Sequence, residues 1–309
     1  MSEIRRVLIV GAGAVGAAVA SIIHKREPGA VAVLADRGRM ARYSVEGFVL
    51  NGERLRFHLV PAGTAPRPGE EPDLAIVAVK NHQLEQAIVD MAPYVGEDTQ
   101  VLSLLNGITS EDSLAAAVGT GKVLYAMILG IDAVRQGNAT TFSSSGKVHF
   151  GEAHNTDGDW SDRVSRIASF FDRVGVRYAV PEDMIRSLWY KFMINVGINQ
   201  ASAVLRAPYG VFQRLPEARR VMEGAMRELV AISRAMGTGL EETDLDSWWA
   251  TLLGLRPEAK TSMLQDLEAG RKTEVEAFAG MVIALGRKAG VPTPVNGLLY
   301  DLIRAMEQS

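Results

Sequence analysis

Lys191, Asn195 and Asn199 stand four residues apart in KFMINVGIN, inside the otherwise apolar stretch SLWYKFMINVGINQASAVL. Residues at this spacing share one face of a helix. One ammonium and two carboxamides would then point in a single direction out of a buried rod. Either they reach water at the edge of a packed layer, or they line a polar pocket. A different chemistry is written near the N-terminus. GAGAVG (Gly11, Ala12, Gly13, Ala14, Val15, Gly16) fits G-x-G-x-x-G directly after VLIV and opens a helical pattern. In that context Gly11 permits a tight turn, Gly13 lets the backbone approach a pyrophosphate, and Gly16 allows close helix–strand packing. The helix N-terminus favours the phosphate charge.

Asp36 ends the second strand pattern, VAVLAD. An acid there binds the ribose 2′-hydroxyl of NAD. Arg37 follows at once, with Arg39 and Arg42 close behind. Arginines there suit the 2′-phosphate of NADP, which guanidinium binds bidentately, unless they only decorate a solvated loop. The two signals conflict, and both cofactors stay open on this evidence. Lys80 after DLAIVAV and Asn106 after VLSLL would occupy the carboxyl ends of neighbouring strands, where ligands of open α/β sheets bind.

A second polar concentration lies in TSMLQDLEAGRKTEVEAFAG (261–280). Ser262, Gln265, Asp266, Arg271, Thr273 and Glu274 crowd among the core-like Met263, Leu264, Leu267, Val275 and Phe278. Asp266 and Arg271 read as a structural ion pair rather than as catalysts. Glu274 lies in a run with the apolar stripe, and by spacing alone a site acid and a solvated helix face are equally good readings. His149, Glu152 and His154 resemble a metal cluster only superficially, because His149 does not share a strand face with the other two; no metal is expected. Trp248 and Trp249 read as packing.

The elements that must position these groups change along the chain. Up to about Pro181, strand patterns alternate with helices: a hairpin or pair of edge strands in FVLNGERLRFHLVPAG, a buried strand in DLAIVAV, a helix over about 81–93, strands at TQVLSLL, KVLYAMILGIDAV, GKVHFGEA and VRYAV, and a helix over 161–175. From about 182 only helical periods remain: 182–204, 216–236, a segment holding the two tryptophans, 258–284 and 296–307. The expected fold is an α/β Rossmann-type N-terminal domain, 1–181, followed by an all-α C-terminal domain, 182–309. The composition of the 309 residues, 47% apolar and 22% charged with a net charge of −3, suggests no nucleic-acid partner and no attraction to anionic membranes. No signal peptide or membrane span is read. The absence of cysteine excludes disulfides and thiolate chemistry and fits a cytoplasmic protein.

Taken together and in order, GAGAVG, DLAIVAVK, LLNG, KFMINVGIN and TSMLQDLEAGRKTE resemble the ketopantoate reductase (2-dehydropantoate 2-reductase) family along the whole length. The resemblance implies NADPH-dependent reduction of ketopantoate to pantoate in pantothenate biosynthesis. It makes Lys191 the general acid and Glu274 the acidic site residue. It makes Asn195, Asn199 and Ser262 substrate-holding groups, and Lys80 and Arg37 cofactor contacts; Asn106 matches the asparagine of the N-G turn, next to both substrate and cofactor. The chemistry is consistent: charge develops on the carbonyl oxygen during hydride transfer, and a protonated lysine can stabilise it and donate its proton. Glu274 would help keep Lys191 charged.

The match has departures. EVEAFAG replaces the common E-I-D-x-x-N-G, with Glu276 for the aspartate and Ala279 for the asparagine. Ala259 replaces a frequent asparagine, and Asp36 sits where a small apolar residue is common. These changes touch the pocket edge and the adenosine site. The expected partner is a small 2-oxo acid, bound between the domains over the Lys191 helix. The alternatives are the same chemistry on another branched 2-oxo acid and a non-catalytic NADP(H) redox sensor. The oligomeric state is not readable from the sequence; a homodimer through the helical domain is compatible with it, but no interface stripe is visible.

Overall fold

The structure, a computed structural model, describes residues 3–308. The chain divides into two compact units, one ending at Ile185 and the other beginning at Arg186.

The first unit runs β1 (Val7–Val10), α1 (Ala14–Arg26), β2 (Val31–Ala35), α2 (Arg37–Glu46), β3 (Phe48–Leu50), β4 (Glu53–Leu55), β5 (His58–Pro61), β6 (Leu74–Val77), α3 (Leu84–Met91), β7 (Gln100–Ser103), α4 (Ser110–Val118), β8 (Val123–Ile131), β9 (Val134–Gln136), β10 (Ala139–Thr141), β11 (Ser145–Gly151), α5 (Asp162–Val174) and β12 (Tyr178–Ala179). Eight strands form one sheet in the order β12-β11-β8-β7-β6-β1-β2-β5. From β5 to β8 every pairing is parallel. β11 then runs antiparallel to β8, and β12 parallel to β11. The six parallel strands have the 3-2-1-4-5-6 order of a doubly wound dinucleotide fold, and the winding reverses between β1 and β6.

The continuous apolar run of β1 is explained by its two faces. Val7 and Ile9 enter one core with residues of α1 and α5, while Leu8 and Val10 enter another with α3 and α4. A parallel strand covered on both sides has no polar face to show. The first core is closed by α5 and β11, where Phe150 and Phe171 meet edge-to-face with ring centroids 5.4 Å apart. Each fully buried phenyl contributes about 1.5–3 kcal/mol. Ser161 caps α5, its hydroxyl accepting from the Val164 N–H, and Gly175 ends it, in keeping with the helix expected over 161–175.

FVLNGERLRFHLVPAG turns out to contain both alternatives. β3 and β4 form a hairpin around Asn51-Gly52, and β5 is the edge strand beside β2. A second, four-stranded sheet, β4-β3-β10-β9, pairs β3 in parallel with β10. Strands of three residues carry too little alternation to announce that pairing in sequence.

The second unit is helical throughout its described residues. α6 (Met184–Ile194) leads into it and runs through a π turn at Asn195–Asn199 into α7 (Gln200–Leu205). Then come α8 (Tyr209–Arg214), α9 (Pro216–Met236), α10 (Thr243–Leu253), α11 (Ser262–Glu268), a second π turn at Glu276–Gly280, α12 (Met281–Ala289) and α13 (Pro294–Met306). The helix expected over 258–284 is therefore broken. Gly270 takes a left-handed φ of 62°, and the Arg271 N–H bonds back to the Asp266 carbonyl at 2.8 Å. The chain is irregular from there until the π turn. Glycine at the end of α11 terminates the helix where apolar periodicity alone would continue it. Among the described residues no helix is long and apolar enough to cross a membrane.

Candidate active site

In the first unit, β1 hands over at Val10 to Gly11-Ala12-Gly13, and α1 begins at Ala14. Gly11 has φ +97°, and a Cβ there would lie 2.6 Å from Val79 Cγ1 and 2.9 Å from the Ala78 backbone. Only glycine fits, and the turn is thereby pressed against the loop that leads from β6 to Lys80. A Cβ at Gly16 would stand 2.1 Å from the Gly11 carbonyl, so helix and turn touch without a side chain between them. Gly13 is different: a Cβ there would meet only the Ala78 carbonyl, at 3.9 Å. No side chain caps α1 at Gly13, and the first turn carries no acid. Helix N–H donors without a side-chain partner, beside open space and away from negative charge, fit a dinucleotide pyrophosphate. Ala12, Ala14 and Val15 complete that turn.

Lys80 and Asn106 follow the adjacent parallel strands β6 and β7. Asn81 Nδ2 donates to the Asn106 carbonyl at 2.9 Å, which ties the two strand-end loops together. Asp36 and Arg37 are exposed at the end of β2. Asp36 also caps α2: its carboxylate accepts from the Arg39 N–H at 2.8 Å and faces Arg39 Nε at 3.4 Å. The acid thus has a local structural duty in addition to any ligand duty. Arg135 was missed by sequence reasoning. From β9 it donates Nη1 to the Ala12 carbonyl and Nε to the Gly137 carbonyl, and its guanidinium lies 5.9 Å from the centroid of the Tyr43 ring. It stands 123 residues from the turn it touches, so no local pattern could reveal it.

In the second unit two of the three opening residues, Lys191 and Asn199, are buried, and Asn195 is half-buried. Lys191 is 8% exposed and Asn199 6%. The helix widens at Asn195–Asn199, where the α-helical repeat no longer sets the facing of side chains. Asn199 Nδ2 approaches Asn195 Oδ1 at 3.4 Å, so the two carboxamides do share a side. π turns of this kind frequently mark functional sites. Asn195 Nδ2 is buried with no hydrogen-bond partner, an expensive state for a donor that serves only packing. Gly197 seats the turn on α9; a Cβ there would lie 2.3 Å from Met226 Cε.

The other candidates of this unit gather on elements packed against that turn. α11 contacts both the Asn195–Asn199 turn and α7, and the two π turns contact each other. Thr261 caps α11 and donates to the Ser202 hydroxyl at 3.1 Å, which fixes the start of the helix and hence the exposed Ser262. Glu274 lies in the loop two residues before the second π turn and is 5% exposed, so the solvated-face reading falls. Lys191 and Glu274 are both buried, and buried groups of this kind carry charge only where it is matched. Asp266 and Arg271 form the expected ion pair at 2.9 Å.

Glu152 is engaged elsewhere. It bonds the Arg163 guanidinium and accepts from the Ser161 hydroxyl at 2.7 Å. The Arg163 hydrogen bonds hold its carboxyl below the usual glutamate range. No group of three or more His, Cys, Asp or Glu among the described residues is placed to hold a metal ion.

Residues 7–155 match the family described as Ketopantoate reductase PanE/ApbA, and residues 183–307 match Ketopantoate reductase PanE/ApbA C terminal. The 2-dehydropantoate 2-reductase of Archaeoglobus fulgidus is 28% identical over 314 residues, 99% of each chain. That of Aquifex aeolicus (strain VF5) is 26% identical over 319 residues, covering 98% of this chain and 97% of the relative. The solved 2-dehydropantoate 2-reductase of Geobacter metallireducens GS-15 is 25% identical with a TM-score of 0.83, covering 97% of this chain and 99% of that one. A D-mandelate dehydrogenase solved with NADH and anilino(oxo)acetate reaches a TM-score of 0.87 at 21% identity, over 98% of each chain, a likeness of fold. Matched in order over both parts, and carrying the dinucleotide turn at the switch point of its sheet, the chain belongs to the ketopantoate reductase family of nicotinamide-dependent oxidoreductases.

Proposed function

We propose that the protein reduces 2-dehydropantoate (ketopantoate) to pantoate with NADPH, with Lys191 as the general acid. The observation that carries this reading is a lysine only 8% exposed at the head of a widened, asparagine-bearing helical turn. When bound, the reduced nicotinamide supplies the hydride that the carbonyl carbon accepts. Lys191 stabilises the charge developing on the carbonyl oxygen, donates its proton there, and recovers one from solvent. Glu274 favours the ammonium form of Lys191 and accepts from a substrate hydroxyl. Asn195, Asn199 and Ser262 hold substrate oxygens without adding charge. Asn106 and Lys80 serve the nicotinamide side. Arg37 takes the 2′-phosphate, and Arg135 braces the turn that receives the pyrophosphate. The enzyme acts in the cytoplasm, in pantothenate biosynthesis. The ketopantoate reductase of Staphylococcus aureus is described as dimeric, and a dimer is part of this proposal.

The test is consumption of NADPH by the purified protein with ketopantoate, repeated with NADH and with other 2-oxo acids. Saturable turnover on ketopantoate with preference for NADPH is the expected result. A second reading keeps the chemistry and changes the 2-oxo acid. It is favoured by Glu276, whose carboxylate accepts from the Tyr300 hydroxyl at 2.8 Å at a position where the family resemblance leads one to expect aspartate. Turnover on another acid but not on ketopantoate would establish it. Tight NADPH binding with no turnover on any acid would point instead to a redox sensor.

A further inference from the structure

The loop that carries Glu274 is held from the last helix of the chain. α13 presents Tyr300 and Arg304, and Glu307 follows at its end, at spacings that share one helix face. The Glu307 side chain is 9% exposed and pairs with Arg304 at 3.0 Å. Its Oε1 accepts from the Thr273 backbone N–H at 2.7 Å and from the Thr273 hydroxyl at 2.6 Å. The same hydroxyl oxygen accepts from the Val275 N–H at 3.2 Å. Beyond Glu274, Glu276 accepts from the Tyr300 hydroxyl at 2.8 Å and faces Arg304 Nε at 3.7 Å.

The residue before Glu274 and the second residue after it are therefore both fastened to α13. The stretch 271–275 lies outside helix and strand; its backbone is tied at Arg271 to the Asp266 carbonyl and at Glu274 and Val275 to the N–H groups of Phe278 and Gly280, and Thr273 between these ties is held by Glu307. A carboxylate that takes both the N–H and the hydroxyl of one residue fixes that residue's orientation as well as its place. The contact of Tyr300 with Glu276 is exposed, whereas Thr273, which Glu307 holds, is 2% exposed.

We infer that Glu307 is a positioning residue for the reaction. Through Thr273 it sets the backbone at 274, and so aims the Glu274 carboxylate. The inference rests on the reading of Glu274 as the site acid, and the experiment separates the two. It compares kcat and KM for the 2-oxo acid, the Kd of NADPH measured by fluorescence, and Tm for Glu274→Ala, Glu307→Ala, Glu307→Gln, Thr273→Val and the double variant Thr273→Val/Glu307→Ala.

Glu307→Ala should lower kcat/KM for the 2-oxo acid by about tenfold to a hundredfold, the scale of a small misplacement of a reacting group. The Kd of NADPH should stay unchanged. Glu307→Gln keeps an acceptor oxygen for both Thr273 donors and should recover most of the loss. The double variant should be no worse than Glu307→Ala, because both changes cut one linkage. Wild-type kcat/KM in Glu307→Ala, with activity lost in Glu274→Ala, overturns this inference alone. So does a Glu307→Gln enzyme that matches Glu307→Ala in kcat/KM while keeping the wild-type Tm. Full activity in Glu274→Ala overturns the reading of residue 274 and this inference with it.

Discussion

The glycine turn after β1 and the paired π turns of the helical unit build polar sites by opposite means. The turn works by omission: three glycines remove side chains so that backbone N–H groups, close packing and open space coexist. The helical unit works by addition: a lysine at the end of α6, two asparagines in the first π turn and a glutamate in the loop before the second are set among apolar helices. A site made of backbone tolerates little change of sequence but recognises only what all dinucleotides share. A site made of buried side chains costs stability, and it can change its ligand by exchanging one residue.

The largest effect should come from the added lysine. Lys191→Ala should cut kcat by about 10²–10⁴-fold, the usual contribution of a positioned general acid, with NADPH affinity intact. Single-turnover kinetics at saturating substrate would measure it, and a variant within twofold of wild type would dissolve the contrast between the two sites.

The omitted side chains give the next pair. Gly16→Ala drives a Cβ to 2.1 Å from the Gly11 carbonyl and should unfold or strongly destabilise the first unit. Gly13→Ala meets nothing nearer than 3.9 Å and should leave Tm nearly unchanged while weakening the dinucleotide about tenfold or more. Calorimetry against cofactor titration distinguishes fold from binding at positions three residues apart on the same motif.

Arg37→Ala should lower NADPH affinity by about tenfold to a hundredfold, as expected for charge-assisted bonds to a phosphate, and should leave NADH affinity unchanged. Equal losses for both dinucleotides would assign the discrimination elsewhere.

The smallest effect belongs to a half-buried polar pair with no chemistry to do. Arg163, followed by Ser161, holds the Glu152 carboxyl below its ordinary 4.5. Its folded pKa is lowered, so its stabilisation is present above that ordinary value and is lost as pH falls through the lowered one. Glu152→Gln should flatten the acid limb of the stability curve below about pH 4.5 and leave kcat at neutral pH unchanged.

The same contrast explains what could be read in the sequence. The glycine turn, the buried strands and the glycine that ends α5 are local, and each is legible because a few adjacent residues suffice to define it. The polarity of Lys191, Asn195 and Asn199 was legible as well, but the widened turn that carries them was not, since one extra residue per turn leaves no mark on apolar spacing. Between α11 and the second π turn, apolar periodicity ran on where Gly270 ends the helix. Arg135 and the β3–β10 pairing depend on residues distant in sequence, which composition and period do not encode.

That pairing also orders events in time. β3 cannot find its parallel partner until the chain has been made, and has searched, through Thr141. Closing so long a loop is entropically expensive and comes late on most folding routes. Arg135 reaches the Ala12 carbonyl from the strand next to β10. The first forty residues can therefore form a glycine turn early, but that turn acquires its arginine brace only when this small sheet closes. A nascent or partly folded chain would carry the motif without its full grip, and dinucleotide binding would report completion of the first unit.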